Sequence, residues 1–357
     1  LKYEIGWAIN VYPPFLFTFS ALILNGLNFR IYSSKAFAKI STTFYIKALC
    51  LCDTAFLINI LVYSTLPYAF SFDVRALTSF SCKLLTVMIY SIGASSSWLE
   101  MIVSVDRWLQ IAFINRARSL NKRSCQFTIL CCLLFYNVIF YSPVAFFFDL
   151  NRDSSSSSST TGSNGSLDLV LSGECSIEND QFGWILSWLD LFNATLVPFF
   201  GMLFSSCVLI RALVRSRIRS SSYAPGSQQM RQQSADNISP TTTENQSGSS
   251  IQKSNPMQRG KKGSTKSEKS MRKAKETQFA ITSLAMNGIY FLLNIVISIY
   301  YIYAEYGMMS RGQDLLFYGI SGMLMQMNLS FKFFIYLVAN SKFREELLKI
   351  KPFSSFC

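Results

Sequence analysis

Residues 82–108 read CKLLTVMIYSIGASSSWLEMIVSVDRW, and between Lys83 and Asp106 the single charged residue is Glu100. A nearly uncharged run of about 20 residues is what an α-helix needs to cross about 30 Å of hydrocarbon. Working outward, six more stretches pass the same test, so that apolar spans centre on 8–29, 41–66, 80–111, 124–148, 183–210, 277–304 and 313–338. Composition agrees, since 50% of the 357 residues are hydrophobic and 15% charged, where a soluble domain carries about 25% charge. The expected fold is an all-α membrane protein, a seven-helix bundle over residues 7–350. Polar residues interrupt several spans, which a packed bundle interior tolerates better than lipid does. The chain has no histidine. Serine triads, Cys-His pairs and imidazole metal ligands are therefore excluded, and neither enzymatic activity nor a metal or other cofactor is expected.

Orientation follows from the bases in the connections. Arg30, Lys35, Lys39 and Lys47 follow span one without an acid, and Arg116, Arg118, Lys122 and Arg123 follow span three. Residues 211–276 carry 14 bases against 4 acids, and the segment after span seven 4 against 2. This face nets +20 and the opposite one −5, so the formal +13 of the chain lies on the cytoplasmic side. The N-terminus is then outside, the C-terminus inside, and the first span serves as its own uncleaved anchor in a multi-pass protein of the plasma membrane. Such sidedness suits anionic lipid as a partner rather than nucleic acid.

Residues 151–166 form a low-complexity outer loop with six consecutive serines and a glycosylation sequon at Asn164. Residues 216–271 are rich in Ser, Gln, Thr, Asn and Gly, bury too little apolar surface to fold, and read as a disordered third inner loop. At 341–350, Phe343, Leu347, Leu348 and Ile350 share a face, which predicts a short amphipathic inner helix; Cys357, in the tail 351–357, is a candidate acylation site.

Several internal spacings resemble those of the rhodopsin-like (class A) G-protein-coupled receptors. Asn25 and Asp53 stand where that family has its helix-1 asparagine and helix-2 aspartate. Cys82 precedes Arg107 of Asp106-Arg107-Trp108 by twenty-five residues, the family interval from the outer cysteine to the D-R-Y arginine. Pro198 fits the helix-5 proline, and Tyr336 the end of N-P-x-x-Y. The Phe291-Leu292-Leu293-Asn294 run and Ser97-Trp98-Leu99 look most like invertebrate FMRFamide-like neuropeptide receptors. Two departures stand out. The family's F-x-x-x-W-x-P reads Tyr290 to Val296 without its tryptophan or proline, and N-P-x-x-Y reads Lys332-Phe333-Phe334-Ile335-Tyr336, so both kink-making prolines are missing.

The resemblance implies a Cys82–Cys175 disulfide, an extracellular ligand, a heterotrimeric G protein, and kinases and arrestin as further partners. It places the G-protein switch at Asp106, Arg107 and Tyr336, with Glu276 as the acid that locks Arg107 across helices three and six. Amine ligands are disfavoured because Ile89 occupies the aspartate position of amine receptors. Retinal is disfavoured because Gln326 occupies the lysine position of opsins, with Lys332 about 9 Å deeper. Asp190, eight residues before Pro198, is expected on the same face, lining with Tyr90, Tyr301, Tyr318 and Gln326 a pocket for a short basic or amidated peptide. An intramembrane polar core is expected at Asn25, Asp53, Ser96, Glu100 and Lys332. Lys332 stands where the family has an asparagine facing Asp53 around a sodium ion, with Ser96 completing the shell. A mid-span ammonium costs about 2.5 to 3.5 kcal/mol on insertion scales and so requires a partner. Glu100, one turn inward from Ser96 on the same helix face, offers Lys332 a second carboxylate beside Asp53. The alternatives are a Lys332 that snorkels to the cytoplasm and, for the whole chain, a transporter or chemosensory channel conducting along Asp53, Glu100 and Lys332.

Overall fold

A computed structural model of the chain describes residues 2–38, 40–70, 72–112, 122–152, 173–177, 180–222, 284–300, 302–304 and 310–350. The apolar stretches form helices α1 (Lys2–Tyr32), α2 (Thr42–Ile60), α3 (Ser79–Ala112) and α4 (Arg123–Tyr141). Helix α5 comprises Asp180–Asp190, a π-helical stretch Leu191–Leu196 and Val197–Ser222. Residues 284–300 form α6, and Arg311–Ala339 form α7. Helix α2 likewise continues through a π-helical stretch, Leu61–Thr65, to Phe70. Among the described residues six helices are long and apolar enough to cross a membrane. Helix α3 is not one of them. It is nevertheless 34 residues long and packs against α2, α4 and α5. Neighbouring helices thus shield its Glu100, Asp106 and Arg107 from lipid, so α3 spans the bundle with less apolar surface than a peripheral helix needs.

Helices α1 and α7 pack most closely. The Asn10 amide donates to its own helix at Gly6 O (2.8 Å) and across to Leu315 O (2.9 Å). A Cβ at Gly319 would lie 2.8 Å from the Asn10 amide nitrogen, so the close approach requires glycine there. At the inner end α7 stops at Asn340, whose side chain caps α8 (Ser341–Leu348) by accepting from Phe343 N. Phe343 and Leu347 are buried in a cluster with Tyr32, Phe37 and Tyr336, and Ile350 packs on it. Leu348 departs from the expected face and is 46% exposed.

The outer surface holds a structure that the reading of spans and loops did not include. Strands β1 (Phe148–Arg152) and β2 (Gly173–Ile177) form an antiparallel hairpin in which Leu150 faces Cys175. Its first strand takes in Asn151 and Arg152, two residues assigned by composition to the low-complexity loop. The Cys82–Cys175 disulfide pins β2 to the start of α3. The Ser79 hydroxyl donates to Asp149 (2.5 Å), as does Leu150 N (2.8 Å), and Lys83 lies 3.7 Å away. These donors hold the Asp149 carboxyl below the usual carboxylate range.

Helix α5 runs to Ser222, past position 216, where the polar inner segment was expected to begin. The remainder of that segment, Asn164, Glu276, Tyr301 and Cys357 lie outside the described residues.

Candidate ligand site and transmembrane polar core

A cavity of about 240 Å³ opens among the outer halves of the helices. Asp190, Tyr90 and Tyr318 line it, as the sequence suggested. Gln326 does not: it is buried at 2% exposure, but the wall of the cavity there is formed by Met323 and Met325. One residue along a helix is about 100° of rotation, enough to turn Gln326 away. Lining residues that the sequence reading missed include Tyr63, Thr195, Asn294 and Ser298.

Both π-helical stretches border this cavity. Tyr63 and Ser64 come from the one in α2, Ala194 and Thr195 from the one in α5. Eight residues separate Asp190 from Pro198, more than two α-helical turns of 3.6 residues. The wider winding of Leu191–Leu196 absorbs the surplus and brings Asp190 onto the cavity side.

Asp190 is positioned from α4. The Tyr141 hydroxyl donates to Asp190 Oδ1 (2.7 Å), and the Tyr141 ring stacks on Tyr90. The Asn193 amide donates to the Tyr141 hydroxyl (3.3 Å) and to Asn137 Oδ1 (3.4 Å), while Tyr136 donates to Asn193 Oδ1 (3.0 Å). Among the described residues no base stands within ion-pair distance of Asp190. Among the described residues the cavity therefore presents a carboxylate oriented by Tyr141 with no base beside it.

Phe56 and Met325 line the cavity and pack with Leu57 and Leu329, while Gly93, Ala94 and Ser97 continue the lining inward along α3. Inward of these residues Lys332 meets two acids. Its Nζ lies 2.7 Å from Asp53 Oδ2 and 2.5 Å from Glu100 Oε1. Exposure is 4% for Lys332, 1% for Asp53 and 5% for Glu100, so the side chain does not snorkel. Ser96 donates to Asp53 Oδ1. One nitrogen thereby joins α2, α3 and α7. Asn25 stays apart from this group: it is buried on α1, and among the described residues its Nδ2 has no hydrogen-bond partner.

At the inner end Asp106 accepts from Thr42 (2.6 Å), Gln110 (2.6 Å) and Ser41 (3.3 Å), tying α3 to the start of α2. Gln126 of α4 donates to Ser41 Oγ (2.7 Å) and extends the tie. Arg107 is buried and lies within electrostatic reach of the Tyr336 and Tyr32 hydroxyls. A further junction was missed in the sequence. Asn287 of α6 accepts from Ser104 of α3 (3.3 Å) and donates to Met202 O (3.1 Å) and Ser206 Oγ (2.7 Å) of α5. Its signal was an asparagine inside an apolar span, where a polar group requires a partner.

The profile of the 7 transmembrane receptor (rhodopsin family) matches residues 29–328, ending four residues before Lys332. No curated protein matches the chain. Helices joined through Asp53 and Asp106, a disulfide from α3 to the outer hairpin and a cavity among the outer halves accord with a match over most of the length, and the chain belongs to the rhodopsin family of seven-transmembrane receptors.

Proposed function

We propose that the chain is a plasma-membrane G-protein-coupled receptor for a short basic or amidated neuropeptide, of the kind bound by the FMRFamide-like receptors it resembles. The observation that carries this reading is Asp190, a carboxylate in the cavity wall with a tyrosine to orient it and, among the described residues, no base to neutralise it. Aromatic and aliphatic walls from Tyr90, Tyr318, Ile89 and Ile297 suit the apolar body of such a ligand. The outer face, at a net −5, attracts a basic peptide before it enters. At the opposite end, Arg107, Asp106 and Tyr336 are the groups that respond to the G protein, with Glu276 as the partner that holds Arg107 at rest. The long inner segment supplies serines and threonines for kinases and arrestin, and its basic ends meet anionic lipid. Conduction along Asp53, Glu100 and Lys332 is disfavoured because none of them lines the cavity.

The test is guanine-nucleotide exchange on purified G proteins with the receptor in nanodiscs, screened against amidated peptides. Removing one member of a buried charge pair costs about 2 to 5 kcal/mol, so Asp190→Ala is expected to lower agonist potency at least about thirtyfold, and Asp190→Glu less. Unchanged potency in both variants excludes the reading.

A further inference from the structure

Membership of this family implies a sodium ion beside Asp53, and the residues here do not fit one. Both Asp53 oxygens are engaged, Oδ1 by the Ser96 hydroxyl and Oδ2 by Lys332 Nζ, and the same nitrogen holds Glu100 Oε1. A metal ion touching Asp53 would sit within a few ångström of an ammonium of the same charge. At 5% exposure or less, little solvent is present to screen that repulsion. The ammonium meets the requirements of the place, with a single positive charge and three donors for two carboxylates. The surplus negative charge faces the Ser96 hydroxyl.

We propose that Lys332 is a tethered counter-ion that replaces a free metal ion in this receptor, fastening α2, α3 and α7 through one nitrogen and making their arrangement independent of sodium. A bound ion comes and goes with its concentration, whereas a tethered one is present at unit occupancy in every molecule. The stabilisation that a free ion would supply by mass action is thereby built into the chain.

The experiment melts the purified, ligand-free receptor in nanodiscs in sodium chloride and in N-methylglucamine chloride at equal ionic strength. Midpoints of the unmodified receptor are expected to coincide. Lys332→Asn leaves two buried acids without a base, so its midpoint falls and gains a sodium-specific rise of about 2 to 4 °C or more. Where that variant does not accumulate, Lys332→Asn combined with Glu100→Leu retains one acid and is expected to show the same rise. A sodium-specific rise in the unmodified receptor, or none in either variant, overturns the proposal. Because no ligand is used, the result is independent of the role assigned to Asp190.

Discussion

At the scale of single residues, Tyr141 separates the orientation of Asp190 from its charge. Its hydroxyl is the donor to the carboxylate and is held in turn by Asn193. A hydrogen bond to a charged group contributes about 1.5 to 3 kcal/mol. Tyr141→Phe keeps the ring stacked on Tyr90 while removing the donor, and agonist potency is expected to fall about tenfold or more, though no further than in Asp190→Ala, which removes the charge as well. Potency curves for the two variants, at matched surface expression, check this ranking; a Tyr141→Phe receptor as potent as the unmodified one removes Tyr141 from the site. Lys332 gives the complementary case. One buried base serves two acids on different helices, so its partners were decided by packing and not by its neighbours in sequence.

Among the elements, α5 carries the arrangement that most depends on winding. The π-helical Leu191–Leu196 stretch sets the phase of everything above it, Asp190 included. Phe192 lies within it and is 52% exposed, so deleting it removes little packing. Deletion lets the stretch relax to α geometry, in which the seven steps left between Asp190 and Pro198 turn by about 700°, within about 20° of two full turns, so Asp190 keeps its phase. The expected outcome is a receptor that reaches the cell surface and still answers agonist, read by surface labelling alongside nucleotide exchange. A lost response would show that the wide turn does more than set the phase of Asp190. Helix α3 makes a related point, because being surrounded by other helices lets it carry Glu100, Asp106 and Arg107 with fewer apolar residues than its neighbours.

For the whole molecule the governing quantity is the difference between a +20 inner face and a −5 outer one. That asymmetry places Asn164 outside, in the connection between the two strands of the hairpin. Treatment with an N-glycosidase is expected to increase the gel mobility of the receptor, and Asn164→Gln to abolish the shift. A shift that survives Asn164→Gln would move the glycan elsewhere. The disulfide gives this outer region its anchor, since it joins β2 to the start of α3 across 93 residues of sequence.

Spans and sidedness were legible in the sequence because both are sums over local windows: hydrocarbon accepts about 20 apolar residues in any order, and loop charges add without regard to geometry. The need of Lys332 for a partner was legible as well, since burial cost is a property of the residue. Its choice of partners was decided by tertiary structure, which brought residues 53, 100 and 332 to one point from three helices. The same holds for Gln326, expected in the pocket yet turned from it, and for the Asn287 junction. Helical phase about the axis changes by about 100° per residue, and a π-helical stretch resets it without any mark in hydropathy. The β hairpin escaped notice for a different reason, as its strands are five residues each, the first begins at the end of an apolar span, and they pair across the intervening outer loop. Sequence alone determined how often and in which direction the chain crosses the membrane; which side chains meet within it was left to the packing of the helices, because contact depends on rotation that no one-dimensional sum records.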